Sequence, residues 1–295
     1  MLDSARIDTP PTPTIVTDQT VLLFGGCYSN LEATFALRAE ARRLGIPPER
    51  TVCTGDVVAY CADAAETVAL IRDWGVWVVM GNCEESLGYR KDDCGCGFAE
   101  ETMCRRIATE WFAYADSEIN EDQRNWMRSL PRRLEIRLAE GRLAVVHGSV
   151  DSINRFIFAS TSWREKRRQV AMAGCDGVIA GHCGIPFAQA VGGELWLNAG
   201  AIGMPANDGT RHGWYSILIP KDRGIEIRLV PLDYDARSAA TKMRLRGLPE
   251  GYASALDSGL WPSCDVLPAV ERARQGDPLL PRSLLWNRIR FPPRA

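Results

Sequence analysis

At 295 residues, with 46% apolar and 24% charged side chains, the chain has a globular composition and the length for one large α/β domain with appendages, or two small domains. Its net charge of −2 gives no overall electrostatic pull toward nucleic acid or an anionic membrane. No stretch approaches the ~18 apolar residues of a membrane-spanning helix, and "MLDSARIDTPPTPTIVTDQT" lacks the basic start and apolar core of a secretory signal, so a cytoplasmic location is expected.

Residues 1–19 read as a flexible leader of Thr and Pro. "TVLLFGG" (20–26) predicts a buried strand, followed by a helix over 30–44 that Gly45 and two prolines close. "RTVCTGD" (50–56) and "VWVVMGN" (76–82) predict two more strands, with a helix over 64–75 between them. Strands alternating with crossover helices form a sheet whose ligands bind beyond the strands' carboxyl ends. Residues 83–101 are charged and turn-rich, and helices are expected near 100–114 and 121–129, so 84–130 reads as a helical insertion near that site. Strands are expected at 133–138 and 142–147, a helix at 162–173, and a strand at 176–182. The pairs "PFAQAV"/"ELWLNAG" and "GWYSILI"/"GIEIRLV" predict antiparallel strands that complete a mixed sheet. A surface helix over 233–247 and a Pro/Arg-rich trailing arm over 262–295 end the chain, so 20–235 form the main domain and 236–295 the C-terminal helix and arm.

Five predicted strands end in polar turns: Gly26–Tyr28, Gly55-Asp56, Gly81-Asn82, His147-Gly148 and Gly181-His182. Each dipeptide alone is common. Their order resembles the calcineurin-like metallophosphoesterase superfamily, and is closest to its bacterial phosphodiesterase-like branch. Flanking matches carry the resemblance over about residues 20–235: "SNLEA", "GDVVAYCADAAETVALI", "VVHGSV" and "GHCGIPFAQAVGGELWLNAGAIGMP". It implies a four-layer α/β/β/α sandwich with mixed sheets. It also implies a hydrolase that places two metals about 3.5–4 Å apart, bridged by an aspartate and a hydroxide that attacks phosphorus.

Carried over residue by residue, the departures fall on one metal. Gly26 and Tyr28 stand where the family has Asp and His, and Gly184 where it has the second His of Gly-His-x-His. The second site keeps Asp56, Asn82, His147 and His182. His147 and His182 alone would be equally ordinary as buried histidines bonded to core polar groups; their registration with Asp56 and Asn82 points to one divalent transition metal, Mn, Fe or Zn. Cys83 replaces the family's histidine after Asn82, and with Asn30 and Asn198 is a candidate catalytic or substrate-orienting residue by resemblance. His212 has no motif role and reads as a surface residue.

Ten cysteines without a secretory signal do not suggest a disulfide framework; most, including Cys53, Cys61 and Cys175, read as small buried hydrophobes. Cys27, Cys83 and Cys183 lie inside the altered motifs, where they either supply thiolate or fill space; Cys27 and Cys183 are expected to pack and Cys83 to lie near the site. Cys94 and Cys96, with Cys104 beyond, leave three readings open: a cluster with Cys83, a redox pair, or plain loop thiols. In the arm, Arg282, Arg288, Arg290 and Arg294 with Trp286 and Phe291 suggest a solvated or protomer-clasping segment. The leading expectation is an atypical single-metal hydrolase of a small phosphomonoester or phosphodiester. The alternative is an inactive or repurposed metal-, thiol- or ligand-binding protein on the same fold.

Overall fold

The computed structural model describes residues 12–97 and 101–287. The chain runs through β1 (Thr14–Thr17), β2 (Val21–Phe24), α1 (Leu31–Arg43), β3 (Thr51–Cys53), α2 (Ala64–Trp74) and β4 (Trp77–Val78). Three helices follow, α3 (Asn82–Gly88), α4 (Met103–Glu118) and α5 (Glu121–Ser129), then β5 (Leu134–Leu138), β6 (Gly141–Val145), α6 (Trp163–Ala173) and β7 (Gly177–Ala180). The remainder comprises β8 (Phe187–Val191), β9 (Glu194–Asn198), β10 (Gly213–Lys221), β11 (Gly224–Leu232), α7 (Ala236–Leu245), α8 (Glu250–Ser258), α9 (Ala269–Arg272) and β12 (Arg282–Trp286).

The strands form two six-stranded sheets, ordered β1-β5-β6-β7-β9-β8 and β12-β11-β10-β2-β3-β4. In one, β2, β3 and β4 are parallel; in the other, β6, β7 and β9 are. Side-chain alternation sorts the core into layers. Val21 and Leu23 of β2 face the opposite sheet, whereas Leu22 and Phe24 face helices α1, α2, α4, α7 and α8. Leu143 and Val145 of β6 join the inter-sheet core, while Ala144 faces the layer that contains α6. A strand covered on both faces must be apolar at successive positions, which is why these segments read as unbroken runs. The result is the expected α/β/β/α sandwich. Among the described residues no helix is long and apolar enough to cross a membrane.

Both ends of the chain differ from expectation. Thr14–Thr17, placed in a flexible leader, form β1, which lies parallel to β5 and buries Ile15. The β-branched residues of "TIVT" suit an edge strand better than the flanking prolines suggest. The rest of the leader, 1–11, lies outside the described residues. The trailing arm also carries structure. Its β12 pairs antiparallel with β11 of the same chain and delivers Trp286 into the inter-sheet core, while Leu285 on the other face is half exposed. Arg288, Arg290, Phe291 and Arg294 lie outside the described residues. The turn-rich segment after β4 starts with a helix, α3, and the expected surface helix, α7, buries Ala236, Ala239, Ala240 and Met243.

Trp286 lies over Gly141, where a Cβ would meet the indole at 2.9 Å, and its Nε1–H donates to the Gly193 carbonyl at 3.0 Å. Replacing Trp286 with Ala is expected to cost about 3–5 kcal/mol, read as a lower urea midpoint with an unchanged slope. A loss below about 1 kcal/mol would restore the picture of a loosely attached arm.

Candidate metal centre

The layering brings the turns after β3, β4, β6 and β7 to one edge of the sandwich. Close approach there requires glycine. Gly55 has φ 98°, and a Cβ on it would lie 2.7 Å from the Gly81 amide nitrogen and 2.8 Å from His147 Nδ1. Asp56 and His182 themselves adopt left-handed backbone, φ 58° and 60°, which non-glycine residues seldom do outside sites that hold them there.

His147 organises the centre. Its Nδ1 lies 2.7 Å from the Thr54 carbonyl oxygen, which can only accept, so Nδ1 carries the proton. Nε2 of the neutral ring is then a lone pair. Around it stand Asn82 Oδ1 at 3.0 Å, His182 Nδ1 at 3.1 Å and Asp56 Oδ2 at 3.2 Å. The Asn82 oxygen is identified by its amide nitrogen, which donates to the Cys94 carbonyl at 2.9 Å. With His182 in its Nε2–H tautomer four acceptors converge, which an added proton or a cation reconciles; in its Nδ1–H tautomer His182 donates to His147 Nε2 instead. Atoms bound to one cation at about 2.0–2.2 Å lie roughly 3 Å apart, so these separations fit a shared coordination sphere. Among the described residues, Asp56, His147 and His182 form the one group of His, Cys, Asp or Glu side chains close enough to hold a metal.

Burial disfavours the Asp56 carboxylate, but His147 and His182 outweigh it and hold its pKa below the usual value. Burial also pulls His147 down, and Asp56 more than compensates, so its pKa is raised. Burial and the neighbouring His147 push His182 down to about 3, which leaves it neutral and able to ligate.

The other candidates fall around this centre in different roles. Asn30 caps α1: its Oδ1 accepts from Ala33 N–H at 3.0 Å and its amide donates to the Gly203 carbonyl at 2.9 Å, so it does not reach the centre as a catalytic group. Asn198 is buried, donates to the Gly181 carbonyl and accepts from Gly200 N–H, which orients the turn that presents His182. Cys83 is buried behind Asn82, and burial with Asp56 and Glu84 nearby raises its thiol pKa, so it is a poor nucleophile. Cys94 and Cys96 are joined as a disulfide, so Cys83, Cys94 and Cys96 do not form a three-thiolate cluster, although the Cys83 and Cys96 sulfurs both lie near Asn82 Nδ2, at 3.5 and 3.4 Å. Cys27 and Cys183 are buried, and His212 is partly exposed beside Asp233 at 2.7 Å.

One residue missed from the sequence ties the loops together. Glu84 is fully buried, and its carboxylate accepts from the backbone N–H groups of Asp56, Val57, Val58 and Gly81. Burial and nearby Asp56 push its pKa up to about 7. Its position three residues after Gly81, at the start of a helix, was the available signal.

On the side where ligands are replaced, the space is filled. A Cβ on Gly26 would overlap the Tyr28 ring, and one on Gly184 would lie 3.9 Å from the Tyr28 hydroxyl, so the ring spans from one altered position toward the other. Gly26 and Gly184 offer no side-chain donor there, and Tyr28 offers only its phenol. A cavity of about 70 Å³ opens beside the centre, with Tyr28, Asp56, Phe156, His182, Gly184 and Trp261 in its walls and, among the described residues, no Lys or Arg.

Comparison with known proteins agrees with this geometry. Residues 30–219 match the family model described as the calcineurin-like phosphoesterase superfamily domain. An uncharacterized protein of Methanocaldococcus jannaschii is 27% identical over 260 residues, covering 81% of this chain and 98% of its own. The fold is shared with a metallophosphoesterase of Sphaerobacter thermophilus (TM-score 0.64, 22% identity, 83% of this chain and 100% of the other). It is shared also with a hypothetical protein of Pyrococcus horikoshii (TM-score 0.68, 15% identity, 83% and 99%).

Because Tyr28 occupies the room that a residue 26 side chain would need, Gly26→Asp alone should destabilise the protein by about 2 kcal/mol or more through overlap and backbone strain. The double variant Gly26→Asp/Tyr28→His should recover part of that loss in a melting experiment. Equal melting temperatures for Gly26→Asp and the unaltered protein would refute the filled-space account.

Proposed function

Because the chain belongs to the calcineurin-like phosphoesterase superfamily, a metal-dependent family, we propose that it is a phosphoesterase working with one divalent cation among Asp56, Asn82, His147 and His182. The observation that carries this reading is the convergence of Asn82 Oδ1, His182 Nδ1 and Asp56 Oδ2 around His147 Nε2. The mixed nitrogen and oxygen donors suit Mn, Fe or Zn. A divalent cation there supplies Lewis acidity toward a phosphoryl oxygen and makes water more acidic.

The chain's own groups define the rest. The Thr54 carbonyl fixes the His147 tautomer and ring orientation. Asn198 and Glu84 hold the turns carrying His182 and Asp56. Among the described residues the cavity walls carry Asp56 but no Lys or Arg. One dication against one carboxylate leaves a single positive charge, which complements a phosphodiester monoanion better than a phosphomonoester dianion. The small cavity admits the phosphoryl group, and the ester substituents extend out of it.

Purified protein loaded with Mn²⁺ or Zn²⁺ is expected to hold one metal per chain by elemental analysis, and Asp56→Ala to hold none. Bis(p-nitrophenyl) phosphate should turn over faster than p-nitrophenyl phosphate, with Asp56→Ala lowering the rate by at least about 100-fold. A cation must displace a proton from His147, whose pKa lies above the ordinary 6.5, so metal affinity should fall as pH drops through that value, by roughly tenfold per unit. Two metals per chain would refute the single-site reading. Among the described wall residues His182 is the one histidine, and Cys83, which stands where the family has a histidine after Asn82, is buried and is not a wall residue. That observation favours a binding protein as the second reading, which one bound metal without turnover of either ester would support.

A further inference from the structure

The Tyr28 phenol has an unusual setting for a side chain that only fills space. The residue is 5% exposed, yet its hydroxyl makes no hydrogen bond to any described residue and borders the cavity shared with Asp56 and His182. The ring is packed, but the hydroxyl is not sealed in the core: it is an unpaired donor open to that cavity. Its backbone, φ 53°, lies in the left-handed region, which is an outlier for a bulky residue. Hydrogen bonds lock it there: Tyr28 N–H to the Asp56 carbonyl at 3.1 Å, Ser29 N–H to the Val57 carbonyl at 2.9 Å, and Cys61 N–H to the Tyr28 carbonyl at 3.1 Å. The ring is braced edge-on against Tyr60, centroids 4.8 Å apart, and Tyr60 packs in turn on Trp111 and Tyr252. The ring is therefore rigid, and its hydroxyl is aimed by the structure around it.

Resting on the single-metal reading above, we propose that Tyr28 is a ligand-binding residue. Its O–H donates a hydrogen bond to a non-bridging oxygen of a phosphoryl group held at the Asp56–Asn82–His147–His182 centre. The glycines at 26 and 184 are what allow this. A Cβ on the first would overlap the ring, and the second, with φ 70°, leaves open the space next to the hydroxyl. Among the described residues the walls supply no Lys or Arg, so an anionic oxygen on that side has a neutral donor to meet it. A phenol is uncharged at neutral pH and donates without adding charge. The arrangement thus discriminates against a second negative charge on the ligand and orients one oxygen of the first.

The test uses the full chain loaded with metal and titrated with inorganic phosphate by calorimetry and by ultraviolet difference spectroscopy of tyrosine. Tyr28→Phe keeps the ring and removes the hydroxyl. Its metal content and melting temperature should match the unaltered protein, while phosphate binds roughly tenfold or more weakly, as for loss of a hydrogen bond to a charged group. The tyrosine difference band that phosphate induces should vanish in Tyr28→Phe. Equal phosphate affinity in the two proteins, or a band that persists in the variant, overturns the role of Tyr28 and leaves the metal reading standing. A visible phenolate-to-iron band in the Fe³⁺-loaded protein, lost in Tyr28→Phe, overturns it also, because the oxygen would then be a ligand and not a donor. Failure of the unaltered chain to bind metal overturns the single-metal reading itself, and this proposal with it.

Discussion

A neutral imidazole has one proton to give, and in this protein the Thr54 carbonyl takes the one that His147 holds. Everything else at the centre follows from that allocation. With Nδ1 committed, Nε2 faces an amide oxygen, a carboxylate and a second imidazole with no proton of its own to offer them. Such a cluster, buried at the end of two sheets, is costly unless something positive enters it. The carbonyl belongs to the peptide just before Gly55-Asp56, so one loop both supplies a ligand and sets the tautomer of another. Metal-binding histidines commonly rely on a second hydrogen bond of this kind.

Much of this could be read from the residues. The apolar runs of β2, β3, β6 and β7, and the order Asp56, Asn82, His147, His182 at strand ends, located one edge of a sandwich before any coordinates did. Other parts could not, for identifiable reasons. Asn30 looked like a substrate-orienting residue because its motif matched, yet an Asn directly before a helix is equally an N-cap, and the cap is the role it fills. The strand at 282–286 was hidden because Pro and Arg dominate its surroundings; its inward positions, Leu284 and Trp286, alternate with exposed ones only over a very short span. For Glu84 the spacing from Gly81 signals only the local cap; its bonds to the N–H groups of Asp56, Val57 and Val58 come from a loop far away in sequence, and no spacing rule encodes those.

The replaced ligands show a different limit. From sequence, Gly26, Tyr28 and Gly184 are three separate absences. In space they are one arrangement, in which two missing side chains make room for a third that is large. Cross-loop volume exchange of this sort depends on which residues face each other across a gap, so it becomes visible only when the loops are folded together. The polar consequence is equally non-local: Tyr28 borders a cavity to which the turns after β3 and β7 bring Asp56 and His182, and to which Tyr252 and Ser263 come from far along the chain.

The two sides of the centre can differ because the loop skeleton does not depend on metal on the altered side. Gly26 N–H reaches the Gly55 carbonyl at 3.0 Å, and Tyr28 and Ser29 continue the pairing to Asp56 and Val57. Glu84 then gathers the N–H groups of the Asp56–Val58 turn and Gly81 from the opposite side. These bonds are peptide-to-peptide or peptide-to-carboxylate, and none involves the side chains of residues 26, 28 or 184. Changing those three side chains therefore alters what occupies one half of the site while the Asp56 carboxylate stays where the other half needs it. A scaffold whose loops are held by their own amides can accept different side chains in one half of the site without loosening the other.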